Sequence, residues 1–218
     1  MMCLWISGRR MNISMIHDKI NKFTLEKTDK ELPSVLLIGD SIVSGYTATV
    51  RSELSEIAIT DFWVTGMHEN CPDLHKELEE HTKARKYTMI HFNIGLHGWP
   101  EGRIPEGQYE NLMKKYVNVI KASAPQAVLV WASTTPVTEL GNPEKLNEMI
   151  NPIIVDRNRM ALEIMKSHGI VVNDLYAFMI NKLKYKLEDR FHWNSEGKVL
   201  QGKEVARFIK NILLGGAG

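Results

Sequence analysis

Ser41 and a distant pair, Asp189 and His192, have the types that serine-based acyl chemistry requires. Ser41 closes the run Val35-Leu36-Leu37-Ile38-Gly39-Asp40-Ser41, so a hydroxyl stands where an apolar stretch ends. Asp189 and His192 are three apart in Asp189-Arg190-Phe191-His192. A short turn at that spacing can bring a carboxylate beside an imidazole. A serine hydroxyl is a poor nucleophile near neutral pH. It needs a base within hydrogen-bond reach, a group that orients the base, and donors for the oxyanion that forms. With Asp189 on one ring nitrogen, His192 keeps the other free to take the Ser41 proton. Glycines that follow strands let backbone N–H groups approach a ligand closely. Gly66 and Gly95 stand in such places, and His97 in Gly95-Leu96-His97-Gly98-Trp99 adds a ring N–H. Each residue also has a plainer reading. Ser41 can be a helix N-cap, Asp189 can cap nearby backbone, and His97 can be a bystander in a tight turn.

The position of Ser41 at a strand end raises its functional reading. Val35–Ile38 reads as a buried strand, and residues 45–56 as a helix. Residues 57–64, with Ile57, Ile59, Thr60, Phe62, Trp63 and Val64, read as a second strand ending near Gly66. A surface helix over 72–86 and a third strand over 87–94 follow. A helix over 108–122 carries Leu112, Met113, Tyr116, Val117 and Ile120 on one face. A fourth strand over 127–132 leads into residues 143–168, read as helical with Pro152 splitting or kinking the helix. Residues 170–175 form a fifth strand. A loop then carries Asp189 and His192, and a closing helix, N-capped by Ser195, contains Val199, Gly202, Ala206, Ile209 and Leu213.

Apolar strands alternating with helices predict a parallel sheet covered on both faces. Ligands bind such sheets at the C-terminal ends of the strands. Every candidate residue follows a strand or lies in a loop after one, so all are expected at that edge. Residues 1–32 read as an N-terminal arm, with Met15, Ile16, Ile20 and Phe23 on one helical stripe. Residues 33–218 read as one domain.

The pattern resembles the SGNH hydrolases, also called the GDSL esterase/lipase family, over roughly residues 33–213. Gly39-Asp40-Ser41 matches the first block of that family and Gly66 the second. The third block is normally Gly-x-Asn-Asp and here reads Gly95-Leu96-His97-Gly98. Asp189-Arg190-Phe191-His192 matches the closing Asp-x-x-His. The third block looks like that of a bacterial subset with histidine in place of the asparagine. The resemblance implies a three-layer α/β/α sandwich, flavodoxin-like, with a mostly five-stranded parallel sheet. It also implies a Ser–His–Asp esterase mechanism with Ser41 as nucleophile, His192 as base and Asp189 as its orienting acid. The backbone N–H groups of Ser41 and Gly66 would hold the oxyanion, with His97 as third donor. No cofactor is implied.

The substrate is not written in these motifs. Trp99 and Trp193 adjoin the candidate histidines, and aromatic faces suit sugar rings, which favours a short-acyl, acetyl-type ester of a carbohydrate. Asp40 and Arg103 are further candidate contacts. The same triad also serves thioesterases and lysophospholipases, and a binding protein can retain the fold without the activity. The histidines lack paired metal-ligand spacing, so no metal site is expected. The 218 residues are 44% apolar and 24% charged with net charge +1, which gives no global field for nucleic acid or anionic membrane. No run approaches the ~18 apolar residues of a spanning helix. Two cysteines, Cys3 and Cys71, fit a reducing compartment, and the chain reads as cytoplasmic. An oligomer is possible, with nothing in the sequence to support one.

Overall fold

A computed structural model describes residues 32–215. The expected stripe at Met15 to Phe23 lies outside them. Five parallel strands form the central sheet: β1 (Ser34–Gly39), β2 (Ile59–Val64), β3 (Met89–Phe92), β4 (Val128–Ala132) and β7 (Val171–Asn173), in the order β2-β1-β3-β4-β7. The register runs from Ser34 opposite Ile59 and Val35 opposite Met89 to Ala132 opposite Asn173. Side chains on a strand alternate between faces. Leu36 and Ile38 therefore join one core with Ile90, Phe92, Leu129 and Trp131. Val35 and Leu37 join the opposite core with Met89, Val130 and Ala132.

Helices close both faces. Helices α2 (Leu74–Lys83), α3 (Tyr109–Ser123) and α4 (Ile150–His168) bury Leu78, Met113, Val117 and Ile164 in the first core. Helices α1 (Ser41–Leu54) and α6 (Ser195–Leu213) bury Val43, Val50, Val205 and Ile209 in the second. The three-layer sandwich is thus present, and the central strands covered on both faces are accordingly almost wholly apolar.

Four sequence expectations are corrected. Residues 143–168 are not one helix. Thr138–Glu139 (β5) and Asn142–Leu146 (β6) form an antiparallel hairpin, and α4 starts only at Ile150. Pro152 falls in the first turn of α4, where a missing N–H costs nothing, so it neither splits nor kinks the helix. The segment between β7 and Asp189 is not an open loop. It holds the short helix α5 (Leu175–Met179) and a 3₁₀ stretch over Ile180–Tyr185. The closing helix is capped by Asn194, whose side chain accepts the Gly197 N–H at 2.9 Å, and Ser195 is its first residue.

His91, fully buried in β3, sits against Asn173, whose Nδ2 donates to His91 Nε2 at 3.2 Å. Burial pulls this imidazole down to about 4. A free-chain imidazole titrates near about 6.5. As pH falls below that, the unfolded chain takes up a proton that the folded chain refuses. Stability therefore declines from about pH 6.5 toward about pH 4 and levels below, a loss of about 3 kcal/mol from this group. Chemical denaturation at the two ends of that window should show a steeper loss for the native protein than for His91→Gln. Equal losses would remove His91 as the cause.

Candidate active site

The site is built at the C-terminal edge of the sheet, from the turns that follow β1, β2 and β3 and from the turn before α6. Asp40, at the end of β1, caps α1: its Oδ1 accepts the Ile42 N–H at 2.8 Å. That assignment decides the status of Ser41. The cap belongs to the aspartate, Ser41 is the first helical residue, and its hydroxyl is left for another partner. Asp40 is 5% exposed, so it is a buried cap and not an open substrate contact, which corrects that expectation. Burial raises its carboxyl above the usual range, against the pull of the Ile42 N–H and of His97 and His192.

The partner of Ser41 is His192. Ser41 Oγ donates to His192 Nε2 at 2.8 Å, across 151 residues of sequence. His192 Nδ1 donates to Asp189 Oδ2 at 2.7 Å. The other carboxylate oxygen, Oδ1, accepts the backbone N–H groups of Phe191 at 3.0 Å and His192 at 2.8 Å. Burial alone would raise the Asp189 carboxyl, but these hydrogen bonds outweigh it and hold the group below the usual carboxylate range. An ionised Asp189 fixes the His192 tautomer with its proton on Nδ1, leaving Nε2 as an acceptor for the serine proton.

Gly66 and His97 lie side by side on the open edge. A Cβ built on Gly66 would stand 3.8 Å from His97 Cε1. His97 sits in a 3₁₀ turn over Leu96–Gly98, and its carbonyl accepts from Arg103 Nη1 at 2.7 Å. Arg103, an exposed loop residue, thus braces the turn that carries His97; its own carbonyl accepts from Asn70 Nδ2 at 3.1 Å. Position 98 is crowded by neighbouring side chains. A Cβ at Gly98 would lie 2.6 Å from Glu69 Oε2 and 3.1 Å from Arg157 Nη1. Glu69, fully buried, fills the space that a side chain at 98 would need.

The two tryptophans separate. Trp99 is half-buried, with its ring 6.1 Å from that of Phe191, beside the turn of His192. Trp193 is 1% exposed and packed in the core, which removes it as a substrate contact. The sequence reading missed Glu69, Arg157 and Lys186. Lys186 is one lysine among several in Lys182-Leu183-Lys184-Tyr185-Lys186, and nothing in its spacing marks it as buried. Among the described residues no group of three His, Cys, Asp or Glu side chains is placed to hold a metal ion. No described helix is long and apolar enough to cross a membrane.

No protein-family model matches the sequence, and no curated protein matches it. Solved structures do match. An acetylxylan esterase from Geobacillus stearothermophilus is 18% identical, with a TM-score of 0.62 over 83% of this chain and 94% of that one. A lipase/acylhydrolase from Enterococcus faecalis is 18% identical, with a TM-score of 0.66 over 83% and 96%. A carbohydrate acetylesterase from Sinorhizobium meliloti is 12% identical, with a TM-score of 0.66 over 83% and 99%. The chain therefore has the α/β fold of the SGNH hydrolases. Its sheet order, β2-β1-β3-β4-β7, is that of a doubly wound parallel sheet.

Proposed function

We propose that this protein is a serine esterase of the SGNH type that removes a short acyl group, acetyl foremost, from a carbohydrate or another small-molecule ester. The observation that carries this reading is the unbroken line from Asp189 through His192 to Ser41, with hydrogen bonds of 2.7 and 2.8 Å. Such a line has no structural purpose that a simpler contact would not serve, and it supplies what a serine nucleophile lacks. Ser41 Oγ attacks the ester carbonyl carbon while His192 Nε2 takes its proton. The carbonyl oxygen becomes an oxyanion, received by the N–H groups of Ser41 and Gly66 and the His97 ring. His192 then gives its proton to the departing alcohol, leaving an acyl group on Ser41. A water, deprotonated by His192, attacks that acyl group and releases the acid and the free serine. Asp189 stays ionised throughout and steadies the imidazolium.

Two observations support the acetyl preference. Two of the matching structures are described as an acetylxylan esterase and a carbohydrate acetylesterase. Trp99 also offers a half-exposed aromatic face beside the His192 turn. A p-nitrophenyl ester series from acetate to octanoate tests the reading. We expect kcat/KM to be highest for acetate and at least about tenfold lower for octanoate, with acetylated xylooligosaccharides also cleaved. A maximum at octanoate would replace this reading with that of a thioesterase or lysophospholipase. No hydrolysis of any ester in the series would count against an esterase.

A further inference from the structure

The turn that carries Asp189 and His192 holds two peptide units between opposite charges. The unit joining residues 190 and 191 points its N–H at Asp189 Oδ1, at 3.0 Å, and its carbonyl at Lys186 Nζ, at 3.3 Å. The unit joining residues 191 and 192 does the same, at 2.8 Å to Asp189 Oδ1 and 2.7 Å to Lys186 Nζ. Both peptide dipoles thus lie with their positive ends on the carboxylate and their negative ends on the amine. Hydrogen-bonded groups aligned in this way polarise one another.

Lys186 is 5% exposed, and its amine lies 4.2 Å from the centre of the Trp193 ring. Burying a lysine costs free energy unless its donors are used, and both carbonyls used here belong to the segment between Asp189 and His192. Burial pulls the Lys186 amine down to about 7, with the Asp189 carboxylate working against that pull. The amine keeps an N–H for each carbonyl in either state. The turn needs a restraint of this kind. Arg190 has φ +82°, the only non-glycine residue among those described with positive φ, and that region is unfavourable for an L side chain. The Arg190 carbonyl is held a second time from the hairpin, by the Thr138 N–H at 3.1 Å and Thr138 Oγ1 at 3.3 Å.

We propose that Lys186 is the positioning residue of the active site, fixing the Asp189 carboxylate and the His192 ring through the two peptide units it shares with Asp189. The role rests on the serine-esterase reading and acts wholly through Asp189.

The test is a cycle of variants assayed on p-nitrophenyl acetate, with rates counted per active site titrated. Lys186→Met should lower kcat about tenfold with KM changed by less than about threefold. Lys186→Gln, which keeps one short donor, should fall between the two and serves if the methionine variant does not fold. In an Asp189→Asn background the same substitutions should cost less than about twofold, because the carboxylate through which they act is gone. The low-field proton resonance of the His192–Asp189 hydrogen bond should weaken in the single Lys186 variants. Full kcat in those variants, or an equal loss with and without Asp189, would overturn the proposal. Absence of esterase activity in the native protein would instead sink the functional reading on which it rests.

Discussion

Ser41→Ala is expected to abolish ester hydrolysis, lowering kcat on p-nitrophenyl acetate by about 10⁴-fold or more while the fold and the thermal transition stay in place. The reason lies in how little else the hydroxyl does. Asp40 and not Ser41 caps α1, so loss of the hydroxyl removes no cap from the helix. Among the described residues its hydroxyl bonds to His192. Removing it costs the protein little stability and the reaction its nucleophile. His192→Ala removes the base and should fall as far. Asp189→Asn keeps the shape but allows the wrong tautomer, and should cost about 10⁴-fold. Members of a catalytic triad act as a unit, so on the proposed reading combining all three changes should be no worse than Ser41→Ala alone. A Ser41→Ala protein with more than about a tenth of native activity would place the nucleophile elsewhere.

The parts of this fold that follow from burial on two faces were legible in the sequence. Val35–Ile38, Met89–Phe92 and Val128–Ala132 are short apolar runs because both faces of the sheet are covered. The pairing of Ser41 with the distant Asp189 and His192 was legible for a topological reason, since all parallel strands deliver their C-terminal turns to one edge. What failed was local. The hairpin at 138–146 is marked in the sequence by Gly141 after Leu140, and Gly141 has φ +74°. The polar stretch with Pro143 nevertheless reads as the start of a helix, because β6 is exposed and carries no alternating pattern. Trp193 was misplaced because adjacency to His192 in sequence says nothing of direction. In the chain bridge between Lys186 and Trp193 the tryptophan turns inward, under the lysine. Glu69 was invisible, since a carboxylate that fills the space beside Gly98 has no sequence periodicity to betray it.

His97 carries the second large effect. Donors aimed at a forming oxyanion contribute about 10²- to 10³-fold each to kcat when removed singly. His97→Ala should therefore lower kcat by that order, with KM nearly unchanged, because the contact is made in the transition state and not to the resting ester. His97→Asn presents an amide N–H from the same turn, which Arg103 still braces through the carbonyl at 97. It should retain activity within about tenfold of native. Extending that change to the full Asn-Asp pair of the wider family should fail. A Cβ at position 98 meets Glu69 Oε2 at 2.6 Å, Ile104 Cδ1 at 2.8 Å and Arg157 Nη1 at 3.1 Å, so at least one of these side chains must shift to admit it. His97→Asn combined with Gly98→Asp should thus be less active than His97→Asn alone, and adding Glu69→Gly, which removes the nearest of the three crowding side chains, should recover part of the loss. A His97→Ala protein with native kcat would take His97 out of the oxyanion site and leave the Ser41 and Gly66 N–H groups as its donors.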